Sequence, residues 1–97
     1  MQKQYFVYIL ASKKCGTLYT GMTSRLVGRS FEHKTKAVDS FTKKYRVSIL
    51  VHYEILGDPA SALHREKCIK EWKREWKIKL IEQHNPHWRD LYPEICA

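Results

Sequence analysis

The stretch YFVYILASKKCGTLYTGM, residues 5–22, decides the fold predicted for this chain. Residues 5–10 are aromatic or aliphatic, as in a buried strand. Residues 17–22 form a second strand, and the short polar stretch between the two contains a glycine, which indicates a turn. Because a connection this short cannot make a parallel crossover, the two strands are predicted to pair as an antiparallel hairpin.

A helix and a third strand are expected after the hairpin. Either Thr23 or Ser24 is suited to cap the helix, since a short polar side chain can accept a hydrogen bond from a free N–H of the first turn. The polar residues 38–46 predict a short helical turn. Residues 47–56 are rich in β-branched side chains and predict the third strand.

The remainder of the chain predicts a long helix and a returning segment. Asp58 followed by Pro59 is a typical helix start, and one helix is expected to run from there to about Gln83. Residues 87–95 are expected to pack back on the core. The order β-β-α-(α)-β-α predicts an α+β fold, a small antiparallel or mixed three-stranded sheet flanked by helices, with residues 1–97 as one domain.

Positive charge is concentrated in the first half of the chain. The formal net charge is +8, and residues 1–50 hold ten Lys and Arg against only Glu32 and Asp39. Residues 51–97 hold eight residues of each sign. A one-sided basic surface is typical of proteins that bind a polyanion, usually nucleic acid, although charge that serves only solubility is the alternative.

The composition also indicates a cytoplasmic protein. No apolar run approaches the roughly 20 residues that span a bilayer, and no signal-peptide pattern begins the sequence. The three cysteines are far apart and form no C-x-x-C pair, so reduced thiols are expected rather than a disulfide framework or a zinc site.

Glu66 is out of place on its predicted helix. At helical spacing it falls beside Ala62 and Ile69, on the edge of the apolar stripe. A carboxylate there is costly unless it is paired or binds a cation. Pairing with Lys70 at the rim of the helix is the simpler alternative.

Arg29 and His33 are a second anomaly, because they share a helix face with Leu26 that should bury apolar groups. Arginine can hold a phosphate through two hydrogen bonds, and histidine can exchange a proton near neutral pH. A solvated basic face is the alternative. Tyr8 and Tyr19 lie on the paired strands, where packing alone is the usual reason for tyrosine.

Taken in order along the chain, these five residues resemble the GIY-YIG nuclease superfamily. The first strand reads V-Y-I-L, the second reads L-Y-T-G, and the arginine, histidine and glutamate follow. The segments F-T-K-K-Y, L-V-H-Y-E, R-E-K-x-I-K-x-W and N-P-x-W-x-D-L are similar to those of its small stand-alone bacterial members, which are related to the N-terminal nuclease domain found in bacterial excision repair. The resemblance covers almost the whole chain.

The resemblance assigns roles residue by residue. Tyr8 matches the tyrosine of the first half of the motif, and Tyr19 and Gly21 match the first and last residues of the second half. Arg29 and His33 match the catalytic arginine and the position held by His or Tyr.

Two further matches lie later in the chain. Glu66 matches the metal-binding glutamate, and Asn85 is a candidate for the late asparagine. The sequence departs from the family pattern at four positions near the hairpin, which are Phe6, Val7, Thr20 and Met22.

The resemblance implies a metal-dependent endonuclease that hydrolyses DNA phosphodiester bonds with one Mg²⁺ or Mn²⁺ ion held by Glu66. Tyr8, Tyr19 and His33 all remain candidates for the general base. Cutting is expected to be structure-directed or weakly sequence-specific, in DNA repair or recombination, with a protein partner as a possible source of specificity. A nucleic-acid-binding module with little or no catalysis is the alternative, and RNA stays open as the ligand.

A basic stretch directly after the reactive helix is expected to hold flanking DNA phosphates. Its members are Lys34, Lys36, Lys43, Lys44 and Arg46.

Overall fold

The computed structural model of the protein describes residues 3–35 and 44–96. Strands β1 (Tyr5–Ala11), β2 (Leu18–Thr23) and β3 (Ile49–Leu56) form one sheet in the order β2-β1-β3. Both pairings are antiparallel. The predicted hairpin and the α+β fold are therefore confirmed, and the sheet is antiparallel rather than mixed.

Four helices that lie wholly within the described residues cover the two faces of this sheet. They are α1 (Leu26–Lys34), α2 (Pro59–Glu71), α3 (Arg74–His84) and α4 (Tyr92–Cys96). Helices α2 and α3 pack on one face, and α1 packs with α4 on the other. The edge strand β2 is thus reached by α2 from one side and by α1 from the other.

Alternation along β1 creates a core on each face. Val7 and Ile9 point towards α2 and α3, whereas Tyr8 and Leu10 point towards α1. All four side chains are at most 1% exposed, because β1 is the central strand and both of its faces are covered. The position of Tyr8 on the α1 side decides where the candidate site forms.

The start of α1 differs from the prediction. Arg25 occupies the N-cap position, and no side chain caps the helix. The Thr23 hydroxyl instead accepts a hydrogen bond from the Arg25 N–H at 3.0 Å, so it closes the turn before the helix rather than the helix itself. The predicted cap by Thr23 or Ser24 was therefore wrong.

The single helix predicted up to Gln83 was also wrong. The helix is interrupted at Trp72 and Lys73, both of which have extended backbone, and α3 begins at Arg74. An unbroken helix over residues 59–83 would be about 37 Å long at 1.5 Å per residue. That is slightly more than the longest dimension of the molecule, 36 Å, and the break lets both halves pack on the same small sheet.

The break changes which side chains are buried. Ile69 and Ile81 reach the same core from the two halves, whereas the Trp76 side chain, near the start of α3, is 52% exposed. The predicted helix start is confirmed, since the Asp58 carboxylate accepts the Ser61 N–H at 2.8 Å.

The end of the chain packs back on the core as predicted. Trp88 and Leu91 are buried, and the short helix α4 was not expected from the sequence. Lys36, Lys43 and most of the turn expected within residues 38–46 lie outside the described residues. Within the described ranges, no helix has the length and apolar character needed to cross a membrane.

Candidate active site

A tyrosine and a histidine from different layers meet at the centre of the candidate site. The Tyr8 hydroxyl on β1 lies 3.2 Å from Nε2 of His33 on α1, and the tautomer of His33 sets the direction of this hydrogen bond. Both side chains are 1% exposed. The spacing of α1 explains the contact, since Leu26, Ser30 and His33 form its buried face.

Tyr19 on β2 completes a cluster of three rings. Its ring centroid lies 5.5 Å from that of His33 and 6.4 Å from that of Tyr8. Gly21 pairs with Tyr8 across the two strands. A Cβ atom on Gly21 would lie only 2.7 Å from the Tyr8 hydroxyl and 3.1 Å from Cε2 of Tyr19, so a glycine is needed to let both rings approach.

Arg29 joins this cluster from α1. Partial burial by itself would lower the pKa of Arg29, but its hydrogen bond with Tyr8 and the nearby Glu32 carboxylate raise the pKa above the ordinary value. Its guanidinium lies 3.7 Å from Glu32, and its side chain is 33% exposed. Arg29 is thus a permanently charged group with access to solvent, suited to bind an anionic ligand.

Access to solvent separates the four clustered residues into two kinds. Tyr8 and His33 are enclosed, whereas Tyr19 is only partly buried and Arg29 is one third exposed. A ligand that enters from solvent therefore meets Tyr19 and Arg29 first. Tyr8 and His33 lie behind them and fix the positions of their neighbours.

Glu66 lies on α2, on the other side of the sheet. Its side chain is 13% exposed, and Oε2 forms an ion pair with Lys70 at 3.3 Å. Its described contacts include none with the four clustered residues. The structure therefore brings together four of the six predicted catalytic residues. Glu66 lies on a helix that contacts the same edge strand, β2, from the opposite face, and Asn85 lies at the end of α3.

The carboxylate that a magnesium-like ion would need near β2 is that of Glu66. Among residues 3–35 and 44–96, no cluster of three or more His, Cys, Asp or Glu side chains could hold a metal. Glu66 is a largely buried carboxylate whose one described ion-pair partner, Lys70, is 51% exposed. A single carboxylate suits Mg²⁺, which keeps most of its own water ligands, and a cation would offset the cost of burying this charge.

Asn85 has a different environment from the clustered residues. It is 2% exposed, and its Nδ2 donates to the carbonyls of Val51 and Arg89 at 3.1 and 2.8 Å. Its Oδ1 accepts the Arg89 N–H at 3.0 Å. These bonds tie the end of α3 to β3 and to the returning segment, which is a structural task.

The predicted basic stretch is only partly available for a ligand. Lys34 is bound to Asp90, donates to the Ser48 carbonyl at 3.2 Å and lies over the Tyr92 ring, so its charge is already compensated. Lys44 and Arg46 are exposed.

A second polar cluster lies between β3 and α2. Arg65 donates two hydrogen bonds to Glu54, at 2.8 and 2.9 Å, and His52 lies 2.8 Å from the same carboxylate. Burial alone would raise the pKa of Glu54, but the bonds and charges of His52 and Arg65 lower the pKa to about 2. The cluster borders a cavity of about 550 Å³, and its charges compensate one another.

Two residues of α1 were missed in the sequence. Glu32 Oε1 lies 3.6 Å from Arg25 and 3.7 Å from Arg29, so it forms an ion pair with each. Its spacing of three from Arg29 was a signal that could have found it. Ser30 is 2% exposed, and its hydroxyl has no hydrogen-bond partner among the described residues.

Comparison with known proteins identifies a matching domain and several relatives of this chain. The GIY-YIG catalytic domain, a nuclease domain, matches residues 4–79. A UPF0213 protein of Staphylococcus haemolyticus is 34% identical over 80 residues, which are 82% of this chain and 96% of that protein. A UPF0213 protein of Syntrophus aciditrophicus is 39% identical over 87 residues, 89% and 97% of the two chains. No solved structure shows a significant match.

Proposed function

Because this chain belongs to the GIY-YIG family, we propose that it is an endonuclease that hydrolyses DNA phosphodiester bonds with the help of one divalent metal ion. The observation that carries the proposal is the cluster of Tyr8, Tyr19, Arg29 and His33, drawn from two strands and a helix. Packing alone does not require a charged guanidinium bonded to an enclosed tyrosine at a solvent-facing edge.

Arg29 would bind the scissile phosphate. Its fixed charge and its planar donors match the phosphate oxygens, and the charge that builds on those oxygens during attack would strengthen the contact. Glu32 forms an ion pair with this guanidinium at 3.7 Å.

Tyr19 is the best candidate to take the proton of the attacking water. A base must reach the substrate, and Tyr8 and His33 are each only 1% exposed, whereas Tyr19 is partly open. The charge of Arg29 interacts favourably with the ionised form of either tyrosine, which would help Tyr19 to act as a base. Tyr8 and His33 would hold Tyr19 and Arg29 in position.

Glu66 would hold the metal ion, Mg²⁺ or Mn²⁺. Such an ion would supply Lewis-acid polarisation of the phosphate and would stabilise the leaving oxygen. The low exposure of the Glu66 carboxylate, 13%, supports this role, because a bound cation stabilises a charge that only Lys70 compensates among the described residues.

The test is cleavage of supercoiled plasmid and of branched DNA with Mg²⁺. Arg29→Ala and Glu66→Gln are expected to lose about 100-fold or more in rate. The matched controls Arg89→Ala and Glu75→Gln make the same kinds of change at exposed positions, in the segment after α3 and on α3, and should stay within about threefold. Equal activity of Arg29→Ala, Glu66→Gln and wild type would contradict the proposal, as would an inactive wild type.

A second candidate is a nucleic-acid-binding module with little catalysis. It is favoured by one observation, namely that Glu66 has no described contact with the cluster across the sheet. Salt-dependent binding of DNA without metal-dependent cleavage would support this alternative. We expect weak sequence specificity or recognition of DNA structure in either case, in repair or recombination, because lysine and arginine contacts to phosphates carry no base information.

A further inference from the structure

Three cations of the second half of the chain meet at the junction of α2 and α3. Lys77 Nζ donates to the carbonyl oxygen of Lys70 at 3.3 Å. Burial lowers the pKa of Lys77, and the positive charges of Arg74 and Lys70 lower it further. Such crowding of like charge is unfavourable unless an anion joins it.

Tertiary contacts bring this group against the β1–β2 hairpin turn. One Nη atom of Arg74 donates to the carbonyl oxygens of Cys15 and Gly16, the latter at 2.6 Å. The same turn carries Lys13 and Lys14, both exposed. Neither lysine forms an ion pair with any carboxylate of the described residues, so both charges add to the group.

We name the resulting patch the hairpin-side surface. It consists of Lys13, Lys14, Lys70, Arg74 and Lys77.

Acidic neighbours compensate little of the hairpin-side surface. Glu66 pairs with Lys70, while Glu71 and Glu75 are exposed and form no ion pair within the described part of the chain. This surface could not be predicted from the sequence, because residues 51–97 are neutral as a whole and their cations are interleaved with glutamates.

The surface adjoins the proposed metal ligand. Lys70 touches Glu66 directly, at 3.3 Å, and lies one helical turn after it on α2. A polyanion held by Lys70, Arg74 and Lys77 therefore passes next to Glu66, on the side of β2 opposite to Arg29 and His33. Continuous phosphates on both sides of an edge strand are what a nucleic-acid strand provides.

We propose that the hairpin-side surface binds the phosphates of the DNA strand that extends from the reaction centre past Glu66. This inference rests on the proposed function for the position of the reaction centre. DNA then crosses the open edge of β2, with one flank on α1 and the other on the α2–α3 junction.

The first test attaches a photocrosslinker to a native cysteine. Cys15 is exposed in the hairpin turn, and Cys96 is exposed at the far end of α4. One variant keeps only Cys15, through Cys68→Ser and Cys96→Ser, and the matched control keeps only Cys96. DNA bound in EDTA should crosslink from Cys15 at least about tenfold more than from Cys96. Equal or reversed yields would overturn the proposal.

The second test measures how DNA affinity depends on salt, again in EDTA. The pair Lys14→Gln with Lys77→Gln should reduce the slope of log Kd against log salt by about 1 to 2, since each lost phosphate contact removes about 0.9. The control pair is Lys3→Gln with Lys79→Gln, which has the same change of charge. Lys3 precedes the start of β1, at the end of the strand away from the hairpin turn. Lys79 lines a separate cavity together with Trp72 and Trp76.

Each outcome decides for or against the surface. A larger change of slope in Lys14→Gln with Lys77→Gln than in the control pair supports binding at the hairpin-side surface. Equal changes in both pairs overturn it, because net charge alone would then explain binding. If RNA competes for binding better than DNA of the same sequence, the proposal that the ligand is DNA is overturned. Binding in EDTA needs no cleavage, so an inactive wild type would refute the proposed function while leaving these results interpretable.

Discussion

The Tyr8 hydroxyl on the central strand lies 3.2 Å from Nε2 of His33 on α1, and both side chains are almost completely buried. This contact links two residues that are 25 positions apart in the sequence. It fixes the rotation of α1 against the sheet and thereby the place of Arg29, which lies one turn before His33. The geometry of the candidate site therefore depends on one buried hydrogen bond.

Tyr8→Phe should lower the free energy of unfolding by about 1–2 kcal/mol, because it removes a buried hydroxyl that bonds His33 and Arg29. Urea denaturation measures this change. Tyr53→Phe is the matched control, since the Tyr53 hydroxyl bonds Glu94 in an exposed position, and it should cost less than about 0.5 kcal/mol. Equal costs for the two variants would contradict the interlocking role of Tyr8.

Two glycine-to-alanine changes should have opposite signs. Gly21→Ala should be destabilising by about 1–3 kcal/mol, because the new Cβ would lie 2.7 Å from the Tyr8 hydroxyl and push both tyrosines aside. Gly28→Ala in α1 meets only the Arg25 guanidinium, at 3.5 Å, and should be stabilising by about 0.5–1 kcal/mol. Thermal melts of the two variants measure both changes, and Gly21→Ala should also lose cleavage.

The free energy of unfolding should fall at acid pH, because Glu54 becomes protonated there and loses its stabilising interactions. The pKa of this carboxyl is lowered to about 2 in the folded protein by His52 and Arg65, against an ordinary value of 4.5. The stabilising effect is therefore complete above about pH 5 and is lost as the pH falls towards 2. We expect a contribution of about 2 kcal/mol, measured by urea denaturation between pH 2 and pH 7.

Glu54→Gln isolates this contribution. The variant should be less stable at pH 7 and should lack most of the pH dependence that Glu54 causes in the wild type. Asp58, whose pKa is also lowered by its bonds to Ser61, adds a change of the same sign and remains in the variant. An unchanged pH profile in Glu54→Gln would contradict the assignment.

Asn85→Ala should lower the free energy of unfolding by about 2–4 kcal/mol. The change leaves the buried carbonyl of Val51 and both backbone groups of Arg89 without their partner. Thermal denaturation alongside DNA cleavage separates the possible roles of this residue. A variant that keeps its Tm and loses cleavage would return Asn85 to the reaction centre, whereas parallel losses support the structural role.

The start of the fold could be predicted from local sequence because its determinants are local. Residues 5–22 specify a hairpin through strand propensity and a short turn, and Asp58–Pro59 specify a helix start. The break at Trp72 could not be predicted in this way. It arises because a single long helix would overrun a molecule only 36 Å long, a constraint that exists only once the chain is compact.

The sequence by itself determined which residues carry chemical groups, namely Tyr8, Tyr19, Arg29, His33 and Glu66, since their types and order along the chain are read directly. Only the tertiary structure decided how they are grouped. The alternation of β1 places Tyr8 on the α1 side with Tyr19, Arg29 and His33, while Glu66 lies on the helix across the sheet.

The same division holds for charge. The sequence determined the net charge of +8, whereas folding decided that Arg74, from the neutral half, lies against the hairpin turn. The physical reason is that side-chain type and local propensity are properties of a few neighbouring residues. The face, the partner and the burial of a side chain depend on contacts between segments far apart in the chain.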